Sequence, residues 1–193
     1  TLRAQQPEIL LTGREQHENI ENYRKVKVRG QFEPDKQIFL EGRKHQNKNG
    51  FQVITPLKQE RAELRVLVNR GWVPTAADGM SLPRIQTPTG PVEISGRANI
   101  PEPPAISLGV DSPSQQWPAR WPYLTVERFA GVVDYPVEPF VILQSSDDDH
   151  GFVRQWPLPQ PSDRMHIGYA VQWFAFALIA LIVYLVLSCS RDR

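Results

Sequence analysis

The chain holds a single cysteine, Cys189, among 193 residues. One thiol closes no intrachain disulfide and builds no thiolate cluster, so a copper chaperone made of paired cysteines is excluded. Cys189 lies beyond a long apolar run and reads as an incidental small residue. Histidine is sparse too, and His17, His45, His150 and His166 stand far apart. Charge of one sign is not in excess, the formal net charge being +1. Without a basic tail or a basic stripe interleaved with aromatics, no nucleic-acid partner is expected. The local signatures of catalysis are missing: no G-x-S-x-G elbow, no H-E-x-x-H, no P-loop, no G-x-G-x-x-G. An enzyme is therefore not expected. The chain opens on Thr1 with no signal-peptide pattern.

Proline is what the chain has in plenty. Eighteen prolines suit short extended segments joined by rigid turns better than long helices. Average hydropathy is polar, yet one segment, Ile167 to Leu187, carries no charge. At about 1.5 Å per residue it would reach roughly 31 Å, the thickness of a bilayer core. Tyr169, Trp173 and Tyr184 lie near its two ends, as interfacial aromatics do. Arg191 and Arg193 follow it, so the positive-inside rule places the C-terminus in the cytoplasm and the rest of the domain outside.

Ahead of that run the hydrophobic period is two. Residues 1–22 read as a polar, helical lead-in, with Gly13 as a stop. "YRKVKVRGQF" alternates from Tyr23, with Gly30 marking a bulge or bend. "QIFLEG", Gln37 to Glu41, is the next expected strand. "RKHQNKNG" is a polar connection closed by a turn at Asn49-Gly50. "FQVITPL" is a third strand, stopped at Pro56. "LRVLVNRGWVP" is a fourth, central because it is dense in β-branched residues. Val92 to Arg97 is a fifth. An irregular proline-rich passage follows. "TVERFAGVV" predicts a short helix capped by Thr125, with Glu127 in its first turn, and "EPFVILQSS" a last strand. This order implies a mainly β domain, an antiparallel curved sheet or partial barrel with one short helix, followed by a C-terminal transmembrane helix.

Four stretches could carry chemistry, and each has a plainer reading. "SSDDDHGF", Ser145 to Phe152, sets three carboxylates beside His150; adjacent carboxylates repel, so a solvated loop is favoured over a cation site. "VNRGWVP" is either a strand-end turn whose Trp72 fills the core or a partner surface built on Arg70 and Trp72. Burial is favoured, and a buried ring would cost roughly 3–5 kcal/mol to remove. "QQWPARWPYL" places Trp117 and Trp121 in a docking surface or in a loop tucked under the sheet. Finally, His166, Tyr169 and Trp173 share one helix face at i, i+3 and i+7. An imidazole ligates haem iron, and two aromatic rings could flank a porphyrin. Physics alone favours an interfacial histidine between aromatic anchors.

"YRKVKVRGQF", "GFQVITPL", "VLVNRGWVP" and "HIGYAVQWFAFALIALIVYL" follow one another as in the Surfeit locus protein 1 family, which this chain resembles from about Tyr23 to Tyr184. The resemblance implies a cytochrome c oxidase assembly factor that is not an enzyme. It implies two membrane helices flanking a domain on the outer face of the bacterial plasma membrane or in the mitochondrial intermembrane space. The first helix would precede Thr1. The expected organisation is a lead-in over 1–22, an extracytoplasmic β domain over 23–156, a linker over 157–166, a membrane helix over 167–187 and a cytoplasmic tail over 188–193. The size and the lack of a presequence suggest a bacterial member, with the domain on the periplasmic or outer face. By the same resemblance, haem a is the cofactor carried, His166 its iron ligand, and Tyr169 and Trp173 its neighbours. The implied partners are the oxidase catalytic subunit or its assembly intermediates, the haem a synthesis machinery and the lipid bilayer. The alternative is a stably bound accessory subunit of the oxidase that transfers no haem.

Overall fold

The computed structural model describes residues 7–13, 17, 20–60, 62–79, 81–104, 116–148, 152–156 and 172–184. The chain divides into two units, Thr1–Trp156 and Pro157–Arg193. The first is mainly β. Its strands are β1 (Ile9–Leu11), β2 (Lys25–Phe32), β3 (Ile38–His45), β4 (Lys48–Gln59), β5 (Arg65–Pro74), β6 (Pro91–Asn99), β7 (Ala119–Trp121) and β8 (Val137–Gln144), with the short helix α1 (Val126–Ala130) before β8.

The sheet order is β1-β2-β6-β8-β5-β4-β3-β7, and β2 also pairs with β4. That extra pairing closes β2, β6, β8, β5 and β4 into a five-stranded barrel. Most pairs are antiparallel, while β1–β2, β3–β7 and β5–β8 are parallel. Closure explains Gly30. It pairs with Val92 of β6 on one side and Gln59 of β4 on the other, and a Cβ there would lie 2.1 Å from the Lys58 carbonyl oxygen. No side chain fits where β2 passes from one neighbour to the next, so this glycine marks the seam of the barrel rather than a bulge.

Alternation decides what each strand buries. In β2, Val26 and Val28 are buried and Lys25 and Arg29 exposed. Val26, Val28, Val66, Val68, Phe140 and Ile142 form one cluster, to which Leu11 and Ile20 add the N-terminal segment. Leu67 and Val141 turn the other way, to a second cluster with Trp121 and Phe129. Strand β5 is therefore buried on both faces, as its dense β-branched run predicts. The short helix begins as expected, with Thr125 Oγ1 accepting from the Arg128 amide at 3.2 Å.

Four further expectations need correction. The lead-in holds a strand, β1, where a helix was expected: Ile9–Leu11 align in register with Val26–Val28. The β3–β4 turn is at Gln46-Asn47, both at positive φ, so His45 faces Lys48 across a two-residue loop and Asn49-Gly50 lies inside β4. Pro56 does not stop β4. Its missing N–H falls where β4 changes partner, β3 pairing up to Ile54 and β2 from Leu57 onward, and its carbonyl accepts from the Glu33 amide at 2.9 Å. The proline-rich passage contains β7, docked parallel on β3.

In the second unit, residues 172–184 form a helix, α2. They lie inside the run expected to cross the membrane; 167–171 and 185–187 are outside the described residues. No described helix is long and apolar enough to cross a membrane.

Candidate functional site

The three expected haem-site residues are not all in view. His166 and Tyr169 lie outside the described residues. Trp173 sits on α2 with 69% of its surface exposed, its ring edge-on to Phe176 at 6.1 Å. Large apolar side chains follow it along the helix, all more than half exposed. A flat apolar ligand or lipid tails would meet such a face without desolvating polar groups.

The stretch Asn69–Trp72 is neither a strand-end turn nor a core tryptophan. All four residues belong to β5, and it is Arg70 that is fully buried. Its Nη1 donates to Thr87 Oγ1 at 2.8 Å and its Nη2 to the Gln86 carbonyl at 3.0 Å. The guanidinium lies over the rings of Phe32 and Phe152, at 4.9 and 5.0 Å. Burial, helped by the nearby charge of Arg154, pulls its pKa down to about 10, so it stays a cation at neutral pH. Gly71, at φ +119, leaves room for the backbone of 152–154, since a Cβ would stand 2.9 Å from the Val153 oxygen. Trp72 and Val153 exchange backbone hydrogen bonds at 2.8 and 3.1 Å, and the Phe152 amide donates to the Arg70 carbonyl at 3.2 Å. The motif thus clamps the segment that ends the β domain. The Trp72 ring is half-buried. It donates from Nε1 to the Arg43 carbonyl at 3.1 Å and lies against the His45 ring, tilted by 48° at 5.1 Å between centroids.

Trp117 and Trp121 are tucked under the sheet. Trp121 is 1% exposed, and both rings meet Phe129 edge-on, at 6.2 and 6.4 Å. In the acidic loop, Asp147 is exposed, but Asp148 turns inward and accepts from the Ser95 amide at 2.8 Å. Burial holds its pKa above the usual carboxylate range. Asp148 thus ties the loop to β6, while Asp149 and His150 are outside the described residues. No group of three His, Cys, Asp or Glu gathers around one point among the described residues.

One constellation had no local sequence signal. Glu138, on β8, is fully buried. Its Oε1 accepts from Gln59 Nε2 at 3.1 Å and from His17 Nδ1 at 3.2 Å, and its Oε2 from the His17 backbone amide at 3.0 Å. His17 and Glu138 are 121 residues apart, so only the docking of the N-terminal segment on the barrel unites them. Nearby, where β2 changes partner, a cavity of about 410 Å³ is lined by Arg29, Gly30, Gln59, Glu60 and Val92 among others.

Fold and motifs together define a small closed β-barrel domain followed by an exposed apolar helix, with an arginine-tryptophan clamp on the central strand. The family model described as "SURF1 family" matches residues 2–178, and the chain belongs to that family. It is 27% identical over 184 residues to the "SURF1-like protein" of Rickettsia bellii, covering 87% of this chain and 70% of that protein. It is 26% identical over 180 residues to the "SURF1-like protein" of Rickettsia felis, covering 85% and 73%. To "Surfeit locus protein 1" of Arabidopsis thaliana it is 24% identical over 233 residues, covering 91% of this chain and 64% of that protein.

Proposed function

We propose that this chain is a membrane-anchored, non-enzymatic assembly factor for haem-copper cytochrome c oxidase, acting in haem a delivery to the catalytic subunit or its assembly intermediates. The observation that carries the reading is the family match. It runs from residue 2 to residue 178 and so takes in both the β domain and His166, Tyr169 and Trp173. Haem a is here a cargo. It would come from the haem a synthesis machinery, with His166 as iron ligand and Tyr169 and Trp173 beside the ring. The exposed apolar face of α2 supports this, because an apolar macrocycle and lipid tails can share it. The apolar run 167–187 anchors the chain in a bacterial plasma membrane, with the β domain on the periplasmic or outer face.

Purification of the full chain from cells that make haem a tests the reading. The expected product is red, with a haem a spectrum that fades in His166→Ala while the β domain melts unchanged. A colourless protein that stays with the oxidase in stoichiometric amount would replace delivery by an accessory-subunit role. For topology, a reporter active only in the cytoplasm should work after Arg193 and fail when inserted near Asp147.

A further inference from the structure

The hairpin that joins β3 to β4 carries a charge its surroundings leave unanswered. No Asp or Glu occurs from position 42 to position 59, whereas Arg43, Lys44, His45 and Lys48 stand close together. Glu41, just before them, is paired with Arg120 at 2.7 Å. Among the described residues, Arg43, Lys44 and Lys48 form no ion pair. The register sorts these side chains by face, since cross-strand partners share a face and directions repeat every two residues. His45 pairs with Lys48, Arg43 with Gly50 and Gln52 with Trp72, so Arg43, His45, Lys48 and Trp72 belong to one face. Gly50 leaves room for the indole over β4, where it meets the His45 ring. Lys44 belongs to the opposite face. The hairpin also offers backbone. Bonded and non-bonded pairs alternate along an antiparallel ladder, and the pair that closes a two-residue loop is a bonded one. His45–Lys48 is that pair, so Lys44–Asn49 is non-bonded, with its N–H and C=O groups aimed away from the ladder. Asn49 obeys this: its carbonyl accepts from the Thr75 amide at 3.2 Å, on the β5 side. On the other side β7 pairs with β3 only over Ile38–Leu40, and among the described residues no backbone group reaches Lys44.

We propose that the edge of β3 at Arg43–His45 takes up an extended acidic segment of a partner protein, added to the sheet as a further strand. Main-chain bonds to Lys44 supply pairing, and the cations supply choice of partner. Carboxylates on one side of the segment meet Arg43 and Lys48 beside the Trp72 ring, and those on the other side meet Lys44. A second copy of this edge brings the same cations and is repelled, as lysines on an open edge ensure. A lipid surface has no strand to give to Lys44, and the hairpin tip, Gln46-Asn47, holds no apolar side chain to bury in a bilayer. The haem reading uses none of these residues, so it stands whether or not this inference does.

The test uses the full chain in micelles of an uncharged detergent and a fluorescent peptide of alternating glutamate and threonine, with its lysine-threonine counterpart as control. Fluorescence anisotropy follows binding, and hydrogen exchange at the Lys44 amide follows strand addition. The acidic peptide should bind and the basic one should not, and binding should weaken as salt screens the charges. The double variant Lys44→Glu, Lys48→Glu should lose about tenfold or more in affinity. Both side chains are exposed, and a thermal melt checks that the domain stays folded; should reversal unfold it, the double change to glutamine removes the charges instead. Bound peptide should slow exchange at Lys44. Lys44→Pro, which removes the N–H aimed away from β4, should abolish binding while the melt holds. Equal affinity for the acidic and basic peptides, or affinity untouched by the charge variants, overturns the proposal. Binding that survives Lys44→Pro and leaves Lys44 exchange unchanged overturns strand addition. Anionic phosphatidylglycerol added to the micelles should leave the peptide bound; a hairpin that takes the lipid and ignores the peptide is a lipid site, and the proposal falls.

Discussion

Phenylalanine and isoleucine live in opposite surroundings in the two units of this chain. In the barrel, Phe140 and Ile142 are fully buried, whereas on α2 Phe174 and Ile179 are 77% and 57% exposed. The same side chains are thus inside in one unit and outside in the other. In the β domain, period-two alternation sends apolar groups to a protein core and leaves charges such as Arg29 and Glu93, paired at 2.7 Å, to water. On α2 no charged residue interrupts the apolar surface over 172–184.

Substitutions in the two units should separate these surroundings. The largest effect belongs to Phe140→Ala, expected to cost about 3–5 kcal/mol of β-domain stability because it opens a cavity in a core with little room to collapse. Chemical denaturation followed by tryptophan fluorescence measures it. Next comes Ile179→Arg, which should disfavour membrane insertion by about 3 kcal/mol and leave the β-domain transition where it was. Alkaline extraction of membranes reads the first effect and the melt reads the second. A melt lowered as far as by Phe140→Ala would show that α2 is covered by protein, and the contrast between the units would collapse.

Trp72→Ala ranks third. With its ring half-buried and one hydrogen bond from Nε1, the loss should be about 1–2 kcal/mol, below that for a fully enclosed ring. The segment 152–154 should also become more open to proteolysis, since the clamp on β5 loosens. Unchanged cleavage there would leave the clamp to Arg70 and Gly71 alone. The smallest effect is that of Asp148. Its folded pKa is raised by burial, so between the unfolded and the folded pKa the native state binds the extra proton. Stability from this group is therefore greatest at low pH and falls as pH rises through that window. Asp148→Asn, which can still accept from the Ser95 amide, should flatten that part of the stability profile. An unaltered profile would mean that Asp148 is solvated.

Much of the barrel was legible residue by residue. Alternation in "YRKVKV" and "GPVEIS" reports which side faces a core, because a strand repeats its direction every two residues whatever surrounds it. Thr125 announced α1 through its own hydroxyl, a bond made within one turn. The two-residue loop at Gln46-Asn47 was hidden because the stronger turn pair, Asn49-Gly50, stands just after it. There the glycine answers a different need, since a Cβ at Gly50 would lie 2.5 Å from the Trp72 ring.

Neighbouring residues suffice for the local features: strand period, helix cap, the uncharged run 167–187, and the family carried by "VNRGW" and the histidine-led apolar segment. Tertiary structure alone decided the rest. Pro56 stays inside β4 because the barrel changes partners there. Ile9–Leu11 form a strand because β2 offers an unpaired edge. Arg70 goes inside because Thr87, Gln86 and two phenylalanine rings converge on it. His17 meets Glu138 across 121 positions. These are contacts between distant residues, and their free energy exists only once the chain has folded back on itself, so no window of neighbouring letters contains it.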